Sequence, residues 1–300
     1  MVRRNVLRMG LATVLGAGLV APPAASAGGV PAGFVEAYPA TAAAMQAAGP
    51  PYAGWAAEGR RFLVFDPRGD GRAVEVVGDL ATADRIAVLI PGVGTRLPDF
   101  DRGLGGVTRR ALARQARDLY AALRAAAPHT RVAVLAWLGY DPPDGFVAAA
   151  TPVSARRGAL ALGEQLRTLA EQRPAARVTL IGHSYGALVA GLAAVDAPAQ
   201  VTDLVSLGGV GAGVDRADQL GGIRIWAAEA TDDWIRHLPQ VRLPGIGHGV
   251  RPGDSSFDAR PLPAAAAIGH DGYLLPGGPT LDALADIVLH GATEAAGARR

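Results

Sequence analysis

Gly182-His183-Ser184-Tyr185-Gly186 is the segment of this 300-residue chain best suited to nucleophilic chemistry. It fits G-x-S-x-G, a pattern that sets a serine on a sharp turn between a strand and a helix. Such a turn strains the serine backbone, and bulky side chains two residues to either side would collide, so glycine is used there. The helix that follows directs backbone N–H groups at developing negative charge. Short motifs also arise by chance, and the flanking sequence decides. Val178-Thr179-Leu180-Ile181 reads as a β-branched strand ending at Gly182, and Ala187-Leu188-Val189-Ala190 continues as helix.

A hydroxyl attacks poorly until a base takes its proton, and that base needs a carboxylate to orient it. Where the serine turn works this way on an α/β sheet, the chain order is Ser, acid, His. His270, in the loop Gly269-His270-Asp271-Gly272-Tyr273, is the first choice of base. His248, in Gly247-His248-Gly249, is the second, with a substrate-loop or surface role as its other reading. His290 falls in a terminal helix and is a poor candidate. The acid should follow the strand Ile223 to Ala228, where Asp232 and Asp233 both qualify. Asp233 is preferred because the apolar Ile235 two positions on can anchor its loop; Asp203 and Asp215 are weaker. Two N–H donors must hold the oxyanion. Tyr185, after the serine, supplies one, and Val93 or next Gly92, in Pro91-Gly92-Val93-Gly94-Thr95, the other.

Competing chemistries lack their residues. Leu97 stands where a dinucleotide fingerprint beginning at Gly92 needs its third glycine. There is no lysine for a phosphate loop, no cysteine for a disulfide, thiolate or Cys-ligated zinc, and no H-E-x-x-H spacing for a metal. We therefore expect neither cofactor nor metal.

The elements that must position these residues follow from the hydrophobic pattern. Phe62 to Phe65 and Ala73 to Val77 flank Pro67-Arg68-Gly69-Asp70-Gly71, a strand–turn–strand signature. Arg85 to Ile90 is a buried-type strand stopped by Pro91-Gly92. Helix over Thr108–Ala127, strand Arg131–Ala136, helix Arg156–Gln172, strand Arg177–Ile181, helix Gly186–Ala194, strands Val201–Leu207 and Ile223–Ala228, and helix Thr280–His290 follow. An antiparallel hairpin followed by strand–helix repeats predicts one mostly parallel central sheet with helices on both faces. Its ligand site belongs at the carboxyl ends of the strands, where every motif above falls. Residues 28–60 read as a peripheral arm with a helix near Val35–Ala47, and 61–300 as the main domain. The Pro- and Gly-rich stretch His237–Pro263 is expected to form a loop lid over the site.

Residues 1–27 have the pattern of a signal peptide: Arg3, Arg4 and Arg8 precede an apolar run too short for a bilayer anchor, and Ala25-Ser26-Ala27 offers a cleavage site. Arg3-Arg4-Asn5-Val6-Leu7-Arg8 also resembles a twin-arginine signal. Losing those three arginines takes the net charge from +2 to −1, because 29 basic residues become 26 against 27 acidic. A near-neutral chain offers no electrostatic case for nucleic acid or an anionic membrane surface. No later segment is apolar enough to span a bilayer. Secretion or placement at the cell envelope is the expectation, with oligomeric state left open.

Trp137-Leu138-Gly139-Tyr140-Asp141-Pro142-Pro143 after a strand, then Gly182-His183-Ser184-Tyr185-Gly186, then Gly269-His270-Asp271-Gly272-Tyr273, resemble an actinobacterial α/β-hydrolase family long catalogued as a domain of unknown function. The resemblance spans about residues 60–290. It implies the α/β-hydrolase fold and a Ser184/Asp233/His270 triad, and it supplies no substrate. Trp137 and Tyr140 are candidates for a pocket wall, with core packing as the alternative, and Trp234 is a further pocket candidate. The expected reaction is hydrolysis of a small or lipid-like carboxylic ester through an acyl-enzyme. An acyltransferase or amidase would use the same groups, and a non-catalytic binding protein could share the scaffold.

Overall fold

The computed structural model describes residues 33–291; the expected signal peptide lies outside them. Two helices, α1 (Phe34–Ala48) and α2 (Tyr52–Ala57), lead into strands β1 (Arg61–Asp66), β2 (Arg72–Gly78) and β3 (Arg85–Ile90). Helix α3 (Leu112–Ala126), strand β4 (Val132–Leu138), helices α4 (Gly145–Ala149) and α5 (Val153–Gln172), and strand β5 (Arg177–His183) follow. Next come α6 (Tyr185–Ala194), β6 (Val201–Leu207) and β7 (Arg224–Ala228). A small hairpin, β8 (Arg242–Leu243) and β9 (Ile246–Gly247), precedes edge strand β10 (Arg260–Pro261) and helix α7 (Pro279–His290).

Eight strands form one sheet in the order β1-β2-β4-β3-β5-β6-β7-β10. The pair β1–β2 is antiparallel, as the Gly-rich turn at 67–71 requires; β2–β4 is antiparallel too, and the rest are parallel. Side-chain alternation splits the core into two layers. Ile86, Val88 and Ile90 of β3 pack with Leu162 of α5 and Leu188 of α6, while Ala87 and Leu89 pack with Leu119 of α3 and Leu284 of α7. The helices therefore cover both faces, as expected. The segment predicted as a peripheral arm is helical from Phe34, and its Met45 and Trp55 are buried in the second layer. Trp55 stacks on Phe62 with ring centroids 5.9 Å apart.

The chain passes from β3 to β4 on one side and then crosses back to β5 on the other. That reversal opens a crevice at the carboxyl ends of β3 and β5. The strand ends are level there: Ile90 pairs with Gly182, and His183 with Leu207. The loops carrying Val93 and Ser184 are thus forced together by topology.

Candidate active site

Ser184 occupies the turn between β5 and α6 at φ 55°, ψ −120°, a left-handed conformation that costs a non-glycine residue about 1–3 kcal/mol. The two motif glycines make the turn possible. A Cβ on Gly182 would strike the Ala187 backbone, and one on Gly186 would strike the Ile90 carbonyl. Tyr185 is the first residue of α6, so its N–H has no intrahelical acceptor. Gly94 N–H is spent on the Pro143 carbonyl at 3.1 Å, whereas the described contacts include no acceptor for the N–H of Val93 or Tyr185. Val93 and Ser184 line the same cavity, and Gly92 lies so close to Ser184 that an added Cβ would sit 2.8 Å from the serine Cβ.

His270 lies on a short 3-10 turn, Gly269–Asp271, and its Nδ1 is 2.9 Å from each carboxylate oxygen of Asp233. Asp233 is fully buried and caps the turn Trp234–His237 by accepting from Ile235 N at 2.9 Å. Tyr273 donates its hydroxyl to the same carboxylate and accepts from Ala230 N at 2.9 Å. Burial alone would push the Asp233 carboxyl up. The hydrogen bonds from His270, Tyr273 and Ile235 outweigh burial and hold it below the ordinary carboxylate range. A carboxylate ionised throughout the neutral range assigns the proton between the pair to His270 Nδ1. His270 Nε2 is buried with no hydrogen-bond partner among the described residues. Burial, and then the bond to Asp233, pushes the Tyr273 phenol far above its usual value, so it remains a donor. Gly208, at φ 54°, makes room for this cluster: a Cβ there would lie 2.6 Å from Asp233 Oδ2.

Asp232 has a different task, accepting from Gly269 N at 3.0 Å at the base of the His270 loop. Asp203 lies at the opposite end of the sheet, paired with Arg224 and Trp226 Nε1, and Asp215 pairs with Arg242 at 3.1 Å. His248 donates Nε2 to the Ala149 carbonyl at 2.7 Å and packs edge-on against Tyr185, and its Nδ1 has no hydrogen-bond partner among the described residues. His290 is exposed on α7.

Two cavities meet at Ser184, sharing Val93, Phe146 and Trp234 as walls. One, of about 230 Å³, also touches Arg110, Gln115, His183, His270 and Asp271. The other, of about 400 Å³, is apolar, with Val210, Leu238, Val241 and Ile246 on its walls and His248 and Arg251 beside them. The stretch His237–Pro263 thus walls the site from Leu238 to Arg251 and ends by adding β10 to the sheet edge.

Trp137 and Tyr140 line neither cavity, so of the two expected readings the pocket wall fails and core packing holds. Strand β4 runs two residues past its predicted end, so Trp137 falls on the inward parity of Ala133 and Leu135 and is buried. Tyr140 stacks on it at 5.9 Å and donates to the Pro91 carbonyl at 2.8 Å, bracing the loop that carries Val93. Trp234 does line both cavities and lies 4.6 Å from the His270 ring.

His183 and Tyr273 lie in the motifs but have no role legible in the sequence. His183 Nε2 lies 2.7 Å from the His270 carbonyl, which can only accept, so the ring is an Nε2–H tautomer there. Burial, then the neighbouring His270, lowers its pKa to about 4. Phe146 and Arg110 were also missed. Phe146 packs edge-on to Trp234 at 5.2 Å, and Arg110 pairs with Asp271 at 2.7 Å. Only the Tyr273 spacing, three residues after His270, carried a local signal.

The chain matches a family model described as alpha/beta hydrolase over residues 66–243. An uncharacterised protein of Mycobacterium tuberculosis (strain ATCC 25618 / H37Rv) is 34% identical over 169 residues, covering 54% of this chain and 62% of the relative. A second from the same strain is 31% identical over 190 residues, covering 60% of this chain and 28% of the relative. The match therefore spans less than two thirds of either relative's length. Among solved structures, a carboxylesterase from Mesorhizobium loti is 17% identical with a TM-score of 0.43, covering 76% of this chain and 98% of the other. A dienelactone hydrolase from Anabaena variabilis ATCC 29413 is also 17% identical, with a TM-score of 0.38 over 76% and 94%. Likeness at that level leaves substrate open. With more than half of its residues matched by the family model, the chain belongs to the alpha/beta hydrolase family.

Proposed function

We propose that the protein is an exported serine hydrolase that cleaves a carboxylic ester through an acyl-enzyme. The observation that carries this reading is the juxtaposition in one cavity of Ser184, on its strained turn, with a His270 held on buried Asp233. Ser184 Oγ attacks the ester carbonyl while His270 Nε2 takes its proton. Asp233 fixes the His270 tautomer and stabilises the imidazolium. The Val93 and Tyr185 N–H groups receive the oxyanion at the start of α6. His270 then returns the proton to the leaving alcohol, and water, activated by the same base, releases the acid and restores Ser184. The signal pattern at residues 1–27 supports export, with action in the envelope or outside the cell. Among the described residues no helix is long and apolar enough to cross a membrane.

Intact-mass detection of a fluorophosphonate adduct tests the reading. A single adduct on the wild-type chain, lost in Ser184→Ala and His270→Ala, is the expected result. A wild-type protein that takes no adduct would overturn it and bring forward a non-catalytic binding role.

A further inference from the structure

The two cavities at Ser184 differ in a way that orients the ester. Whatever leaves must be protonated by His270, so the leaving oxygen has to sit on the side of Ser184 that His270 reaches. His270 lines the smaller, more polar cavity and not the larger one. The alcohol portion therefore belongs with His270, Arg110, Gln115 and Asp271, and the acyl portion must extend the other way. That way is the apolar cavity of about 400 Å³, walled by Val210, Leu238, Val241 and Ile246.

Resting on the acyl-enzyme mechanism above, we infer that the substrates are esters of an apolar, medium-length acyl chain with a polar alcohol, the chain lying in the Val210–Ile246 cavity. The walls support this assignment. Leu238, Val241 and Ile246 are 39%, 44% and 53% exposed although they face the cavity, and an aliphatic chain bound there would remove that surface from water. The smaller cavity offers a long chain less, because Arg110 and Asp271, an ion pair among its lining residues, would be desolvated by the chain. Trp234 and Phe146, packed edge to face where the cavities meet, separate the two ends of the ester.

Two isomeric esters test the orientation. Ethyl octanoate and octyl acetate have the same atoms and nearly the same hydrophobicity but carry the chain on opposite sides of the carbonyl. Each methylene entering the apolar cavity raises kcat/KM by about fourfold. With only two methylenes of the octanoyl chain seated, ethyl octanoate should already exceed octyl acetate by about tenfold. Val210→Trp, which fills the cavity, should lower the ratio of ethyl octanoate to ethyl acetate turnover by about tenfold. Val241→Trp, at an exposed wall position, gives the same reading should Val210→Trp fail to fold. Fluorophosphonate labelling of Ser184 with equal turnover of the isomers, with octyl acetate preferred, or with neither hydrolysed overturns the assignment and leaves the nucleophile standing. Absence of labelling overturns the hydrolase reading itself.

Discussion

Tyr273→Phe removes one oxygen from the centre of the site and separates its electrostatics from its packing. That oxygen donates to the buried Asp233 carboxylate and accepts from the buried Ala230 N–H. A hydrogen bond to a charged group contributes about 1.5–3 kcal/mol, and an orphaned buried N–H costs about 1–3 kcal/mol. Relief from burying the phenol hydroxyl offsets about 1–2 kcal/mol. The net loss of stability is about 3 kcal/mol, read as a fall of roughly 6–12 °C in Tm. The pH dependence has a fixed sign. The depressed Asp233 pKa contributes stability that is present above the unfolded carboxylate value and is lost as pH falls through the folded one. Without Tyr273 the folded pKa rises, so the acid unfolding midpoint moves to higher pH. Ester turnover should fall about tenfold in kcat, or about 1.4 kcal/mol, because Asp233 orients His270 less firmly. Tyr140→Phe is the control: its hydroxyl meets the neutral Pro91 carbonyl, and its loss should cost about 1 kcal/mol without moving the acid midpoint. A Tyr273→Phe protein with stability within 1 kcal/mol of wild type and an unmoved acid midpoint would refute the reasoning.

The neighbouring carboxylates should separate cleanly. Asp233→Asn should lower kcat by about 10³–10⁴-fold, while Asp232→Asn, which keeps an acceptor for Gly269 N, should stay within about threefold of wild type; equal losses would mean that the acid is misassigned. His183, with its pKa lowered from 6.5 to about 4, contributes stability present above pH 6.5 and lost as pH falls toward 4. Between pH 7 and pH 5 this amounts to about 2 kcal/mol at most. His183→Gln, whose amide can still donate to the His270 carbonyl, should show a correspondingly smaller loss in urea unfolding over that interval; an unchanged loss would place the acid sensitivity elsewhere.

Most of the architecture was legible in the chain because it rests on local rules. The β-branched runs, their period-two alternation and the Gly- and Pro-marked stops indicate the principal strands, and helical spacing indicates α3, α5 and α7. The errors were at boundaries and in short elements. Strand β4 was cut at Ala136, and that two-residue difference left Trp137 open between pocket wall and core. Helix α4, the β8–β9 hairpin and β10 went unseen because five or two residues carry no period.

At the site, the amino-acid sequence by itself determined the serine turn, since Gly182 and Gly186 are needed for close approach within a few residues, and it narrowed base and acid to neighbouring candidates. Only the tertiary structure shows which of them lie together. Asp232 and Asp233 differ by one position, but one turn of backbone sends the first to Gly269 N and the second to His270 Nδ1. His248 and His270 occupy similar glycine-flanked loops, yet only one meets a buried carboxylate. The two cavities, one more polar and one apolar, exist because β3, β5 and the stretch Leu238–Arg251 converge on Ser184 from distant parts of the chain. Which side chains share a cavity is set by sheet order and loop path, and neither is written in the spacing of residues along a segment.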